Sequence, residues 1–468
     1  MSDKKNKICV IGLDCADPKL VFEDWKDDLP NLKGLMEKGR YGRLKSTIPA
    51  ITVPAWMSMV TSKDPGQLGF YGFRNRKNYS YDEMSFANSL MVKEPTIWDI
   101  VSENGGRSII VGVPPSYPIK PLNGHMISCF LTPSTDREFT YPASLKDEIQ
   151  KEVGPYLLDV LNFRTDDKDH LLEQIYQLME NRFQTVSYLM ENKPWDLLMF
   201  VEMGVDRIHH GFWEFMDPKN PKYTAGNPYE QAIKDYYIAL DQKIGALLEK
   251  LDGDTVIMVV SDHGAKSMLG GICINDWLIQ NSYLTLKTEP AEPVKLENDQ
   301  IDWSKTMAWG SGGYYGRLFL NVKGREPQGI IKKRNYEKVR DELIAKLEAI
   351  TDENGTNIGT KVFKPDKIYR KVNNIAPDLI IYFGDLDWRS VGIVGNPRIW
   401  VYENDTGPDG ANHAQHGLFI RYHPDESAGG KEVEGMHLMD MAPTILRDMR
   451  IKVPKTMQGK SMTDKYRK

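Results

Sequence analysis

Four apolar runs, three of which end at a carboxylate, constrain the fold of this chain most strongly. The three are "KICVIGLD" at 7–14, "DLLMFVEMGVD" at 196–206 and "DTVIMVVSDHG" at 254–264, and "GRSIIVGVPPSYP" at 106–118 is a similar apolar run that ends in a proline-rich loop. A short continuous apolar run followed by polar or turn residues is typical of a strand that is buried on both faces of a parallel sheet. These runs therefore predict the central strands of such a sheet.

Helical patterns lie between the predicted strands. Apolar residues between 233 and 251 recur at the spacing of one helical face, and residues 169–191 form a further helical segment. Alternating strands and helices predict an α/β fold, with a doubly wound, mostly parallel sheet and helices on both faces. In such sheets, ligands bind beyond the carboxyl ends of the strands. Four polar candidates fall at these ends: Asp14, Asp206, Asp262 and His263.

The pattern changes from about residue 290 onward. "GRLFLNVKGR" at 316–325 alternates between apolar and polar residues, a helical face follows between 339 and 350, and "PDLIIYF" at 377–383 is again typical of a strand. We interpret residues 295–385 as a small α+β cap inserted into the main domain. That domain then comprises residues 1–294 and 386–468.

Composition limits the classes of function. A net charge of −5 and a pI near 6.1 argue against nucleic acid as a bulk partner. No segment has the apolar length of a membrane span, and no secretory signal pattern precedes the first strand. The scattered cysteines indicate reduced core thiols rather than a disulfide framework or a zinc knot: Cys9, Cys15, Cys129 and Cys273. We expect a cytoplasmic protein, and a homo-oligomer is compatible with the sequence.

Residues suited to a metal ion accompany the strand ends. Asp206 and His210 are four residues apart, which makes them neighbours on a helical turn. Carboxylate oxygen and imidazole nitrogen are ligands that Zn²⁺ takes readily. Each pair alone also has an ordinary explanation, as a surface pairing or a turn, but their coincidence at strand ends favours a metal site. The candidates are Asp14, Asp206, His210, Asp262, His263 and either His413 or His416.

The stretch "AITVPAWMSM" at 50–59 places Thr52 where an amphipathic helix is about to begin. One interpretation is a helix N-cap, a position for which threonine is well suited. The other is chemical, because a helix N-terminus presents free N–H groups and a positive dipole end to a phosphate.

The ordered motifs "GLD", "TVPAW", "VDRIHHGFW", "VSDHG" and "NHxxxG" resemble the alkaline phosphatase superfamily. More narrowly, the chain resembles the type I phosphodiesterase/nucleotide pyrophosphatase group and its predicted phosphohydrolase/phosphomutase branch. The resemblance covers nearly the whole chain and implies an alkaline-phosphatase-like fold. It also implies two divalent metal ions, with zinc preferred and manganese as the alternative.

The matching motifs imply roles for individual residues of this chain. The resemblance implies that one metal is held by Asp14, Thr52, Asp262 and His263, with Thr52 as the nucleophile, and the other by Asp206, His210 and His413. His413 is preferred over His416 because Gly417 follows it in the H-x-x-x-G pattern of the family. A hydroxyl beside a divalent cation loses its proton more easily, which suits Thr52 to in-line attack on a phosphoryl group.

The segment after the predicted nucleophile departs from the family. It reads "PGQLGFYGF" at 65–73, with Leu68 in place of the usual histidine and no asparagine that aligns cleanly with the one that contacts phosphate in the nucleotide pyrophosphatases. Arg74, Asn75 and Arg76 are the candidates to bind the substrate phosphate instead, although a solvated loop is the simpler interpretation. The absence of a Cys or Arg in "TVPAW" argues against a sulfatase.

The resemblance implies a hydrolase of phosphodiester or pyrophosphate bonds that acts on a nucleotide-like or other small phosphoester. An alternative is a phosphomonoester hydrolase or phosphomutase, which needs a basic pocket that the sequence does not locate. A metal-stabilised ligand-binding protein without turnover is a further alternative, of a different class.

Overall fold

The computed structural model of this chain describes residues 6–465. Its strands are, in chain order, β1 Ile8–Leu13, β2 Arg40–Lys45, β3 Arg74–Arg76, β4 Met84–Phe86, β5 Ser108–Val111, β6 Gly124–Ile127, β7 Thr140–Tyr141, β8 Leu197–Glu202, β9 Val256–Val260, β10 Gly264–Ser267, β11 Gly270–Cys273, β12 Val294–Lys295, β13 Ala308–Ser311, β14 Gly316–Leu320, β15 Lys361–Phe363, β16 Leu379–Tyr382, β17 Trp388–Val391, β18 Ile393–Val394, β19 Trp400–Val401, β20 Ala411–Ala414, β21 His416–Tyr422, β22 Lys431–Glu432 and β23 Met436–His437.

The α-helices are α1 Pro30–Lys38, α2 Thr52–Thr61, α3 Pro65–Leu68, α4 Ile97–Glu103, α5 Leu145–Glu152, α6 Lys168–Asn192, α7 Gly204–Met216, α8 Ala232–Glu249, α9 Ile274–Gln280, α10 Tyr336–Glu348, α11 Pro365–Ile368, α12 Met441–Asp448 and α13 Met462–Lys465. A π-helical turn spans Leu20–Asp24, and 3₁₀ turns span Lys26–Asp28, Ser89–Met91, Asn298–Gln300, Lys333–Asn335, Phe383–Leu386 and Leu438–Asp440.

The largest sheet has the strand order β22-β2-β21-β9-β1-β8-β5-β6-β7, with β23 also beside β2. The strands from β9 to β6 in this order are parallel, whereas β21 and β7 are antiparallel to their neighbours. Helices α1, α6, α7 and α8 pack together in one group, and α2, α4 and α12 pack together in another. The predicted α/β sheet is therefore confirmed, and its helices form the two groups that a doubly wound arrangement requires.

The three carboxylate-ending strands lie side by side at the centre of this sheet. β1 lies between β8 and β9, with Leu13 opposite Glu202 and Gly12 opposite Val260. The strand ends therefore meet at one edge, as the alternation of strands and helices predicts. Gly12 is required for close packing, because a Cβ atom there would lie 2.7 Å from both the Phe200 carbonyl oxygen and the Trp56 ring.

A second apolar core forms in residues 272–399, which we call the cap. The sheet β13-β14-β16-β15 lies in this part of the chain, and α10 contributes Leu343 and Leu347 to the core. The patterns at 316–325, 339–350 and 377–383 correspond to β14, α10 and β16. The predicted domain boundaries at 295 and 385 stay a prediction.

Two further expectations concern the whole chain. Across residues 6–465, no helix has both the length and the apolar character that a membrane crossing requires. All four cysteines are free and buried, as expected of core thiols.

Candidate metal centre

The meeting of strand ends gathers the predicted ligands. The buried residues form three groups of three, and within each group the potential ligand atoms lie within 4.8 Å of one another. These groups are Asp14, Asp262 and His263; Asp206, His263 and His413; and Cys15, Asp206 and His210. All six predicted aspartate and histidine ligands therefore come together, although they lie up to 399 residues apart in the sequence.

Thr52 is the first residue of α2, and the N-cap is Ile51. The capping interpretation of Thr52 is therefore wrong, because the helix begins one residue earlier than that role requires. The Thr52 side chain is buried, and its Oγ1 lies 3.5 Å from His263 Nε2. Both Ile51 and Thr52 line a cavity, so the N-terminal end of α2 opens onto it.

The three histidines of the site are held in the same way. Each imidazole makes a hydrogen bond through Nδ1, His263 to the Gly264 carbonyl at 3.1 Å and His413 to the Ala50 carbonyl at 2.9 Å. His210 Nδ1 makes the corresponding bond to Asp409 Oδ1 at 2.7 Å. A carbonyl oxygen can only accept a hydrogen bond, so Nδ1 of His263 and His413 carries the proton and Nε2 is free to bind a cation.

The inward-facing atoms form two sets. Asp14 Oδ1 and Asp262 Oδ2 lie 3.8 and 3.2 Å from His263 Nε2. On the other side, Asp206 Oδ1 lies 3.2 Å from His210 Nε2 and 4.0 Å from His413 Nε2. Among the residues that the structure describes, four of these buried atoms make no hydrogen bond: Asp14 Oδ1, Asp262 Oδ2, His210 Nε2 and His413 Nε2. Buried polar atoms without partners are costly, and divalent cations would satisfy them.

The electrostatics of the site also favour bound cations. Burial and then the nearby Asp206 carboxylate raise the pKa of Asp14, and burial and then Asp14 raise the pKa of Asp262, in each case well above the usual range. Burial lowers the pKa of His263 to about 4, so this imidazole is neutral at pH 7. Buried like charges destabilise one another unless a cation lies between them. Burial also lowers the pKa of His413, whereas, against the effect of burial, the Asp409 and Asp206 carboxylates raise the pKa of His210 to about 9. Carboxylates clustered with imidazoles fit a divalent ion of the zinc or manganese type, whose binding would displace the second proton of His210.

Cys15 belongs to one of the groups but does not resemble the other ligands. Its thiol donates a hydrogen bond to the Gly264 carbonyl oxygen at 3.4 Å. Burial, followed by the surrounding carboxylates, raises the pKa of Cys15 well above its usual value. A metal ligand must be a thiolate, so Cys15 is a poor one.

A cavity of about 740 Å³ opens from this cluster toward the cap. Its wall includes Thr52, Asp206, His210 and His413 on one side and many cap residues on the other. Arginines are prominent in this wall: Arg74, Arg76, Arg164, Arg207, Arg317 and Arg389. The sequence does not locate this arginine-lined pocket, because it is assembled from distant segments.

A sequence model of the family described as type I phosphodiesterase/nucleotide pyrophosphatase matches residues 8–418. This chain belongs to that family. The resemblance drawn from the motifs is thereby confirmed, and the chain is by family a phosphoric diester hydrolase.

Solved structures support the fold. This phosphodiesterase-family chain is similar to murine ectonucleotide pyrophosphatase/phosphodiesterase 5, with 14% identity, a TM-score of 0.56 and 96% of each chain covered. That solved structure is of an inactive form, in which alanine replaces a threonine, in complex with AMP. The human protein of the same name gives 13% identity, a TM-score of 0.55 and 96% coverage of each chain. No curated protein sequence matches the chain.

The structure separates the three predicted substrate-binding residues of this family member. Arg74 and Arg76 line the cavity, whereas Asn75 does not. The Asn75 amide accepts a hydrogen bond from the Tyr71 backbone N–H at 2.6 Å and donates one to the Gly72 carbonyl at 2.9 Å. Asn75 therefore shapes the local turn. Arg76 pairs with the buried carboxylate of Glu326 at 3.1 Å, so its charge is already balanced.

Sequence reasoning missed Asp409, which contacts the candidate ligands from outside together with Tyr314. Asp409 is hydrogen-bonded to His210, and Tyr314 donates to Asp409 Oδ2 at 2.8 Å. The Tyr314 ring also stacks on His210 and His413, with centroids 4.7 and 4.5 Å apart. Asp409 precedes His413 by four residues in a loop, and Tyr314 belongs to the cap, so neither has a periodic pattern that marks it.

Proposed function

We propose that this chain hydrolyses phosphodiester or pyrophosphate bonds of a nucleotide-like or other small phosphoester, with Thr52 as the nucleophile and two divalent cations, zinc or manganese. The observation that carries the proposal is the position of Thr52, whose Oγ1 lies 3.5 Å from His263 Nε2 and which lines the same cavity as Asp206, His210 and His413. In the murine relative, the inactive form has alanine in place of a threonine and holds AMP, which supports a threonine nucleophile and a nucleotide-like substrate.

Seven side chains would hold the cations. Asp14, Thr52, Asp262 and His263 form one set, and Asp206, His210 and His413 form the other. When bound, divalent cations lower the pKa of a neighbouring hydroxyl and neutralise the negative charge of a phosphoryl group. Trp56 and Asp409 orient the ligands, because Trp56 Nε1 donates to Asp14 Oδ2 at 2.6 Å and Asp409 is bound to His210.

The chain's own residues would perform the transfer in two steps. Thr52 Oγ1 bonds to phosphorus while the bond from phosphorus to the departing oxygen breaks, and the Thr52 proton passes through solvent to that departing oxygen. Water then attacks the same phosphorus, the bond to Thr52 Oγ1 breaks, and the hydroxyl is restored. The N-terminus of α2 would stabilise the negative oxygens of the phosphoryl group through its free N–H groups and dipole.

The direct kinetic test compares Thr52→Ala and Thr52→Ser with Thr61→Ala. Thr61 lies in the same helix and is equally buried, but its hydroxyl donates to the Met57 carbonyl oxygen within α2. We expect Thr52→Ala to abolish hydrolysis of bis-p-nitrophenyl phosphate by the zinc- or manganese-loaded enzyme, Thr52→Ser to retain part of it, and Thr61→Ala to keep it. Undiminished steady-state turnover by Thr52→Ala would refute the covalent route.

The arginine-lined cavity favours a second candidate, a phosphomonoester hydrolase or phosphomutase. Arginine binds the oxygens of a phosphate dianion in a bidentate manner, which suits a monoester. Comparing p-nitrophenyl phosphate with bis-p-nitrophenyl phosphate on the same metal-loaded enzyme separates the two candidates. If neither ester is hydrolysed while the metal still stabilises the protein, the chain is instead a metal-stabilised binding protein.

A further inference from the structure

Two of the arginines in the cavity wall differ from the rest. Within residues 6–465, neither Arg74 nor Arg317 has a carboxylate within 4.0 Å. The other four have such partners, and these pairs are Arg76 with Glu326, Arg164 with Asp409, Arg207 with Asp159 and Arg389 with Asp405. Arg74 and Arg317 therefore carry positive charges that no side chain of the described protein neutralises at short range.

These two arginines are neighbours on the wall. Arg317 donates from Nη1 to the backbone oxygen of Arg74 at 2.5 Å and from Nη2 to Ser311 Oγ at 2.7 Å. The Arg74 guanidinium lies over the Phe86 ring, 5.1 Å from its centroid. Arg317 is half-buried and Arg74 is exposed, so both retain donors that can reach a ligand.

A glycine-rich hairpin connects this pair to the candidate metal centre. It has the sequence "WGSGGYYG" at 309–316, and Ser311 pairs with Arg317 across β13 and β14. Tyr314, at the other end of the hairpin, stacks on two candidate metal ligands. The Cα atoms of Tyr314 and Arg317 are at most about 11 Å apart, and both residues line the same cavity as His210.

Glycines make up part of the hairpin surface that lines the cavity. Gly312 and Gly392 both line it, and a Cβ atom on Gly312 would lie 2.8 Å from the Gly392 backbone nitrogen. Glycine at 312 thus lets the two chain segments approach closely beside the open space. The cavity beside these segments, of about 740 Å³, has His210, Arg74 and Arg317 in its wall.

This inference rests on the function proposed above. We propose that one ester group on the reacting phosphate carries a second anionic group, either a phosphate or a carboxylate. Arg317 and Arg74 bind this second anionic group. Guanidinium groups make paired, charge-assisted hydrogen bonds to both kinds of anion. The substrate class is therefore a small phosphoester with anionic groups at both ends. The expected preference over an uncharged ester is about 10-fold or more in kcat/KM.

The test uses three p-nitrophenyl alkyl phosphate diesters that differ only at the far end of a short alkyl chain. One chain ends in methyl, one in carboxylate and one in phosphate. The metal-loaded wild-type enzyme should prefer one or both anionic diesters, and Arg317→Gln should lose that preference because its kcat/KM falls more for the anionic diesters than for the methyl-ended diester. Which anionic diester is preferred distinguishes a carboxylate from a phosphate. Arg334→Gln, an exposed cap arginine outside the cavity wall, is the matched control and should retain the preference.

Binding measured without turnover separates this inference from the proposed function. In a Thr52→Ala background, calorimetric titration should give tighter binding of an anionic diester, and adding Arg317→Gln should remove the difference. Such a binding preference supports the inference even if the wild-type enzyme hydrolyses none of the diesters, which would count against the proposed function. If all three diesters are hydrolysed and bound equally well, or if Arg317→Gln weakens all three alike, the inference is overturned while the hydrolase assignment stands.

Discussion

Trp56 donates a hydrogen bond from its indole Nε1 to Asp14 Oδ2 over 2.6 Å, and both side chains are fully buried. The bond joins the second turn of α2 to the end of β1, so the helix that carries Thr52 also orients a candidate metal ligand. It uses one oxygen of Asp14 and leaves Oδ1 directed at His263 Nε2. The proposed nucleophile and this candidate ligand are thus linked through one helix.

Trp56→Phe is expected to weaken metal binding by about 10–100-fold, because the Asp14 carboxylate loses the donor that orients it. Competition with a chromogenic chelator measures this affinity. Trp195→Phe is the control, since the Trp195 indole N–H donates to the Met190 carbonyl away from the site. Equal metal affinities of Trp56→Phe and the wild-type protein would show that the bond has no orienting role.

Removal of the metal should reverse the effect of Asp262→Asn on the thermal stability of the protein. Without a cation, burial and the neighbouring Asp14 raise the pKa of Asp262 and make its charged form unfavourable, so Asp262→Asn should melt at the same temperature as the wild-type protein or higher. With zinc at about 100 times the dissociation constant, the wild-type protein gains about 2.7 kcal/mol from binding, and the variant gains less. Thermal unfolding of both proteins, with metal and after chelation, measures the reversal. A variant that is less stable by the same amount in both conditions would contradict a cation at Asp262.

Arg76→Met should destabilise the protein by about 3 kcal/mol, because it leaves the buried Glu326 carboxylate without one of its cationic partners. Arg74→Met should change the free energy of unfolding by less than about 0.5 kcal/mol, since Arg74 is exposed and has no such partner. Denaturant unfolding of the two variants measures the difference. A stable Arg76→Met protein with a specific loss of substrate affinity would restore the substrate-binding role that the sequence suggests for this arginine.

The central strands could be predicted because burial on both faces requires an unbroken apolar run. β1, β8 and β9 follow this rule, and the polar residues after them fall where the topology of a parallel sheet brings ligands together. His413 and His416 show what motif knowledge adds. His413 Nε2 faces Asp206 Oδ1 at 4.0 Å, whereas His416 is exposed at the start of β21.

The cavity wall could not be predicted in the same way. Arg317 becomes a neighbour of Arg74 only through the packing of the cap on the β3–β4 hairpin, 243 residues away in the chain. Asp409 reaches His210 across 199 residues. Such contacts leave no local periodicity, so single arginines and aspartates are indistinguishable in the sequence from solvated surface residues. The side-chain amide of Asn75, by contrast, makes its hydrogen bonds to the backbone of a local turn, and the "GFYGF" sequence does not predict that turn.

Mass spectrometry of enzyme quenched with acid during turnover tests the central claim most directly. The tryptic peptide of residues 46–63, "STIPAITVPAWMSMVTSK", contains Thr52 together with Thr47 and Thr61 as internal comparisons. We expect a phosphoryl or phosphoryl-ester adduct that fragmentation places on Thr52 and that is absent without substrate. Product formation with this peptide unmodified, or with the adduct on another residue, would contradict the account.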